Sequence, residues 1–448
     1  MMPYLPHTEQ DRNDILAEIG INSVSELYSD IPEEILLEDK LKLNDSLSEL
    51  DIKKKMKELS DQNHDLTEYI SFLGAGVYDH YIPSVVNHII SRSEFYTAYT
   101  PYQAEISQGY LQAIFEFQTM ISELTGLQVA NASVYDGASA AAEAALMSTS
   151  INRNRKQIVV SRSVNPESRK VIKTYCQAAD LELVEVPLCD GKTNKQELAD
   201  VVDEGTAGVI IQNPNFFGLL EDLSELSRPI KKAGAVFITA ADPVALGLLE
   251  APGNLGADIV VGEGQSLGNP QNFGGPHFGF FAVAEQYMRR LPGRVIGETE
   301  DKSGNRGFVM TLQTREQHIR RARATSNICS NQALNALAAT VYLSLLGKKG
   351  LQTVAELSAK KAHYTAQKIE KLTDFKMTFS GPFFKEFAVS TKKDKTELND
   401  YLHENNYLGG FDLQKEYPEL QNSILLAVTE KRTIEEIEKL VSLLEAVK

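Results

Sequence analysis

Six apolar runs between residues 157 and 285 restrict the fold more than anything else in this 448-residue chain. They are QIVVS (157–161), LELVEVP (181–187), AGVIIQN (207–213), GAVFITA (234–240), ADIVVG (257–262) and FGFFAVA (278–284), with helix-like segments such as 165–178 and 194–202 between most of them. A strand covered on one face alternates apolar and polar residues. These runs are instead continuous and rich in Val and Ile, so both faces must be buried. Strands linked by helices in this way predict a large, mostly parallel sheet with helices on both sides, an α/β domain.

The flanks read differently. Residues 1 to about 70 are charge-dense, with helical patches at 11–19 and 52–59 and no strand pattern. They predict an N-terminal helical arm, bounded at 1–75, whose Ile15, Leu16 and Ile19 need a surface such as a second subunit to pack on. The large α/β domain is placed at 76–330. Near its start come the Gly- and Tyr-rich FLGAGVYDHYIP, a long helix over 105–124 with Gly126 as its stop, and the alanine-rich helix GASAAAEAALM. From 331 to 448 a linking helix (331–346), a second helix (352–372), short strands at 376–380, 385–390 and 424–428, and a final helix opened by Thr433 and Glu436 in capping-box spacing predict a smaller α+β domain.

Composition removes several functional classes. A formal charge of -16 argues against general binding to nucleic acid or to anionic membranes. Three cysteines, Cys176, Cys189 and Cys329, form no C-x-x-C pair, which fits a reduced, cytoplasmic protein and offers no metal site. No secretory signal or membrane-spanning stretch is visible at the start or elsewhere.

One motif competes for a catalytic reading. Gly264-Gln265-Ser266-Leu267-Gly268 matches the G-x-S-x-G turn of serine hydrolases. That turn needs a strand before it and a helix directly after it. The strand is there, but Asn269, Pro270, Gly274, Gly275 and Pro276 follow, and such a run cannot continue a helix. A glycine-rich loop is the better reading.

The order of elements also suits a pyridoxal-phosphate (PLP) enzyme, which needs a lysine amine, an acid facing the ring nitrogen and donors for the phosphate. Asp242 follows the strand GAVFITA, Gly137 and Ser139 open the alanine-rich helix, and Asn213 ends another strand within reach of a ring hydroxyl. The amine is missing, because no lysine occurs between Lys232 and Lys302. A Schiff base cannot form without one. Asp136 at the helix start opposes a phosphate, or simply caps the helix, and Asp242 reads equally as a cap or as a relic of the ring contact.

Longer motifs then carry a resemblance. YTPYQAEISQG (99–109), LTGLQVANAS (124–133), ADIVVGEGQSLG (257–268), NFGGPHFGFFA (272–282) and REQHIRRARATSNICSNQAL (315–334) resemble the glycine cleavage system P-protein family, more closely the first subunit of its split, two-subunit form. The resemblance implies the PLP-dependent transferase fold, type I. It also implies a heterotetramer of two pairs, in which the second subunit carries the PLP lysine. Aligned on the family's loop, that lysine falls on Ser266. Implied with it are glycine decarboxylation, an oxidoreductase role as a subunit inactive alone, and transfer of the aminomethyl group to the lipoyl arm of H-protein, beside the other glycine cleavage components.

On this reading PLP is bound by the partner, this chain holds none covalently, and Asp242, Ser139 and Asn213 are vestigial cofactor contacts. Tyr99, Thr100, Tyr102 and Gln103, in a loop stiffened by Pro101, are candidates for a wall of the partner's active site or for interface packing. The basic run Arg315–Arg323 is either a solvated or subunit-bridging helix or a docking surface for an acidic partner such as H-protein. Phe216, Phe217 and Phe273 are expected to fill the vestigial pocket. The alternatives are a catalytically silent scaffold or regulatory homologue, or a self-sufficient PLP enzyme using Lys302, which lies in an apparent surface turn.

Overall fold

The computed structural model describes residues 6–37, 41–324 and 326–447. The first five residues and 38–40 of the expected arm, Thr325 of the RARATSNIC motif and position 448 lie outside the described residues. The chain divides into two compact units, Met1–His64 and Asp65–Lys448.

In the first unit, the helix Glu9–Ile19 opens on a Thr8–Asp11 capping box and closes at Gly20, whose φ of 83° suits glycine. A second helix, Glu49–Ser60, is capped by Ser48. No described residue from 6 to 64 is buried, so apolar side chains such as Ile15, Ile19, Ile35 and Leu43 stand in solvent. The unit ends short of the expected boundary at 75. Ile70–Ser71 is a strand paired in parallel with Tyr407–Leu408, which draws residues from 65 onward into the second unit.

The second unit is organised by a seven-stranded sheet. In spatial order its strands are Val129–Ala130, Gly279–Val283, Ile259–Glu263, Val236–Ala241, Thr206–Asn213, Gln157–Ser161 and Glu182–Val186. Only Gly279–Val283 runs against the others. The continuous apolar runs resolve into two faces by the two-residue period of a strand. Val159, Val209, Phe237, Val260 and Phe280 join one core cluster with the helices Gln108–Thr125 and Leu223–Ala233. Ile158, Ile210, Ile238, Val261 and Phe281 join the other, beneath the helices Gly137–Ile151 and Pro166–Ala178. Burial on both sides is the reason the central strands are so largely apolar.

Three features depart from the sequence reading. The long helix expected over 105–124 begins at Gln108, so Ile106 precedes it and is exposed. The hairpin Val295–Glu300/Arg306–Thr311 was not anticipated, and Lys302 sits in its exposed turn, where Asp301 accepts backbone N–H bonds from Ser303 and Asn305. The two helices expected at 331–346 and 352–372 form one span, Ala333–Ile369, broken only at Gly347 with φ 57°. The helix therefore resumes earlier than the pattern suggested.

The C-terminal strands Phe375–Met377, Glu386–Thr391, Ser423–Ala427 and Phe411–Asp412 form an antiparallel sheet. Against it pack Lys395–Glu404 and Ile434–Ala446, the latter capped by the predicted Thr433–Glu436 box. No described helix is long and apolar enough to cross a membrane.

Candidate functional site

The parallel strands end together at a cavity of about 360 Å³, the usual place for ligands in sheets of this type. Its wall includes Asp136, Gly137, Gln212, Asp242, Glu263 and Ser266, so strand ends, the alanine-rich helix and the glycine-rich loop meet there. Ser266 is 4% exposed and its hydroxyl has no hydrogen-bond partner among the described residues. His277 also lines the cavity, but its Nε2 is bonded to the Gln271 carbonyl and not to Ser266. After Ser266 comes only a short turn, Asn272–Gly274, and no helix, as the Pro- and Gly-rich sequence required.

The helix N-terminus is already supplied with anions. Asp136 caps it, with Oδ1 accepting the Ser139 N–H at 2.7 Å. Glu263, at the end of the neighbouring strand, accepts the Gly137 N–H through Oε2 at 3.0 Å and the Gln265 N–H through Oε1 at 3.1 Å. The close approach requires glycine at 137, because a Cβ there would stand 2.7 Å from the Glu263 nitrogen. Burial, opposed by these N–H bonds, pushes the Glu263 carboxyl up to about 7.

Asp242 faces the cavity and also caps the turn that follows it. Its Oδ1 accepts the Val244 N–H at 2.9 Å, and its Oδ2 lies 2.7 Å from Lys385 Nζ. Lys385, 1% exposed, enters from the C-terminal region and is the main residue that sequence reasoning missed. Its ammonium lies 3.5 Å from the centroid of the Tyr78 ring and 3.0 Å from His80 Nε2. An ammonium only donates, so Nε2 accepts and the imidazole proton sits on Nδ1, donating to Glu430 Oε2 at 2.6 Å. Burial would raise the Glu430 carboxyl, but the His80 contact holds it below its ordinary value.

Next in sequence, Glu386 accepts hydrogen bonds from Tyr78 Oη at 2.6 Å and the Ala75 N–H at 2.7 Å, while burial pushes its carboxyl up to about 7. The signal for this network was present in GVYDHY, where Tyr, Asp and His cluster in a glycine-rich stretch.

The remaining candidates scatter. Asn213 does not line the cavity; its Oδ1 accepts the Glu221 N–H at 2.9 Å. Its neighbour Gln212 faces the cavity instead, because consecutive strand residues point to opposite sides. Ser139 is held by Asp136 and is absent from the wall. Tyr99 and Tyr102 are 88% and 60% exposed, Thr100 is half-buried and Gln103 exposed, and none of the four lines this cavity. The expected aromatic filling is not found. Phe216 and Phe217 pack on Tyr417 in another cluster, and Phe273 is 82% exposed.

The basic run is not one continuous helix but three short helical pieces, Gln313–Arg315, Gln317–Arg320 and Arg321–Arg323, broken where Arg321 takes φ 52°. Arg315 is anchored on the Gly293 carbonyl, whereas Arg320, Arg321 and Arg323 are exposed.

This pocket does not fit PLP. Among the described residues no lysine lines it, the carboxylates of Asp136 and Glu263 occupy the N–H groups at the helix start, and Asp242 is neutralised by Lys385.

The model of the glycine cleavage system P-protein family matches residues 2–444. A Carboxydothermus hydrogenoformans protein named "Probable glycine dehydrogenase (decarboxylating) subunit 1" is 54% identical over 443 residues, covering 99% of each chain. A Bacillus cereus protein of the same name is 52% identical over 444 residues, again with 99% of each covered. A crystal structure of glycine decarboxylase (P-protein) of the glycine cleavage system, in inhibitor-bound form, aligns at TM-score 0.92 and 43% identity over 100% of both chains. Glutamate decarboxylase of Lactobacillus brevis, at TM-score 0.66 and 14% identity over 92% of this chain and 95% of that one, shares the fold, that of the type I PLP enzymes.

Two expectations follow from the buried network. Lys385→Met strands the Asp242 carboxylate and should destabilise the chain by roughly 3 kcal/mol in urea unfolding, with Asp242→Asn added to it restoring most of the loss. The second concerns pH. Because the folded Glu386 carboxyl titrates at about 7 against an ordinary 4.5, the native state holds a proton that the unfolded chain releases. That contribution is complete below the unfolded value and is lost as pH rises through the folded one. Glu386→Gln keeps the Ala75 N–H on its one acceptor oxygen and reverses the Tyr78 bond, Nε2 donating to Oη, without the titration. Wild type should therefore lose up to roughly 3 kcal/mol relative to this variant between about pH 5 and 8, and a pH-independent difference would refute the assignment.

Proposed function

Because the chain belongs to the glycine cleavage system P-protein family, we propose that it forms the cofactor-free half of a two-subunit glycine dehydrogenase whose partner carries PLP. Its role is that of a P-protein subunit, the first subunit of glycine dehydrogenase (decarboxylating), an oxidoreductase. The name of its relatives implies a partner subunit. The observation that supports the proposal is a strand-end pocket lined by no lysine among the described residues, with Ser266 on its wall and its anion cradle filled by Asp136 and Glu263. Alone, such a chain has no lysine on the pocket wall to hold the cofactor and is inactive.

In the proposed assembly, two such pairs form a heterotetramer. The exposed arm, with Ile15, Ile19 and Leu43 in solvent, embraces the partner. The loop of Tyr99, Thr100, Tyr102 and Gln103 supplies a wall of the partner's active site, since two exposed aromatics beside two hydrogen-bonding side chains suit a small polar substrate. The lipoylated H-protein, which receives the aminomethyl group, docks on exposed Arg320, Arg321 and Arg323. Cytoplasmic placement belongs to the same proposal and is supported by three unpaired thiols.

The test reconstitutes the chain with its partner and measures the Schiff-base absorbance of PLP and glycine-dependent CO2 exchange. Neither signal is expected from this chain alone and both from the pair; absorbance in the isolated chain would overturn the proposal, and partner activity that ignores this chain would make it a scaffold. In the pair, Thr100→Ala with Tyr102→Ala should cut turnover by about 10²-fold with assembly intact, and unchanged turnover would remove the loop from the site.

A further inference from the structure

Four carboxylates, Asp136, Glu167, Asp242 and Glu263, stand on the wall of the strand-end cavity, and among the described residues no lysine or arginine lines it. Lys385, behind the wall, compensates Asp242. Asp136 and Glu263 have no such partner. Glu263 holds two backbone N–H groups, and Asp136 engages one oxygen on Ser139 and leaves the other without a partner among the described residues. A second observation is independent of charge. Ser266, 4% exposed as a residue, lines the same cavity, and its hydroxyl has no hydrogen-bond partner among the described residues, so it is free to bond what enters. At about 360 Å³ the cavity also lies within the roughly 300–1,000 Å³ usual for small-molecule sites.

We propose that this cavity binds a small organic ammonium ion, its charged nitrogen beside Asp136 and Glu263 and within hydrogen-bonding range of Ser266. The chemistry is the reverse of a phosphate site: the backbone donors that would attract an anion are satisfied internally, and what remains on the wall is acceptor and negative charge. Anionic ligands are excluded by the same groups. The site stands on the composition of the wall and goes beyond the role in glycine decarboxylation.

The test is saturation-transfer NMR on the full chain at about pH 8, where Glu263 is largely ionised. The probe is N,N-dimethylethanolammonium, which as a tertiary amine cannot condense with an aldehyde. Its neutral and anionic counterparts of similar shape are 3-methyl-1-butanol and 3-methylbutyrate. The ammonium should bind at least about tenfold more tightly than the alcohol, and the carboxylate should give no signal. Asp136→Asn keeps the helix cap while removing the free charge and should weaken the ammonium. Ser266→Lys tethers a competing ammonium in the cavity and should abolish binding.

Absence of ammonium binding, equal binding of the alcohol, or binding unaffected by Ser266→Lys would each overturn the proposal. If Asp136→Asn fails to fold, Ser266→Lys decides the question alone.

Discussion

The ion pair between Lys385 and Asp242 holds together the parts of the second unit that matter for chemistry. Lys385 immediately precedes the strand Glu386–Thr391 of the C-terminal sheet, and Asp242 follows the strand Val236–Ala241 of the large one. Two charges taken out of water are favourable only when geometry and further hydrogen bonds repay their hydration. Here Tyr78 and His80 supply those contacts, and both lie on the segment that leads into the large sheet. Three stretches remote in sequence are thereby fixed at one point on the edge of the cavity. The charge that an acid in this position would otherwise offer to a ligand is spent inside the protein.

The division between what was legible in the sequence and what was not follows the range of the forces involved. The six apolar runs became strands within a residue or two of their expected ends, because burial on both faces writes itself into consecutive residues. The helix cap at Thr433 is equally local, depending on a side chain and an N–H three residues away. Lys385, Tyr78 and Glu386 could not be read this way, since Tyr78 and Glu386 meet across 308 residues. Nothing near 385 distinguishes a buried lysine from an exposed one.

Misreadings have the same origin. Asn213 was placed at a ligand because it ends a strand, but the pleat turns Gln212 to the cavity and leaves Asn213 for the Glu221 backbone. The phenylalanines near the pocket were expected to fill it, but proximity in sequence does not set direction, and Phe216 and Phe217 pack on Tyr417. That no lysine occurs between Lys232 and Lys302 is read from the sequence itself and needs no geometry. That Glu263 covers the helix N-terminus was not readable, as it depends on the closeness that Gly137 permits between helix and strand.

That coverage bears on how such a chain can change with time. A substitution that placed an amine at 266 would meet carboxylates, and one that removed Glu263 would leave the Gly137 N–H without its acceptor. Freeing Asp242 requires displacing a buried lysine. Each single change toward an anion-binding pocket is unfavourable until the others have been made. The acidic character of this cavity is therefore held in place by internal hydrogen bonds, and it resists reversal one substitution at a time.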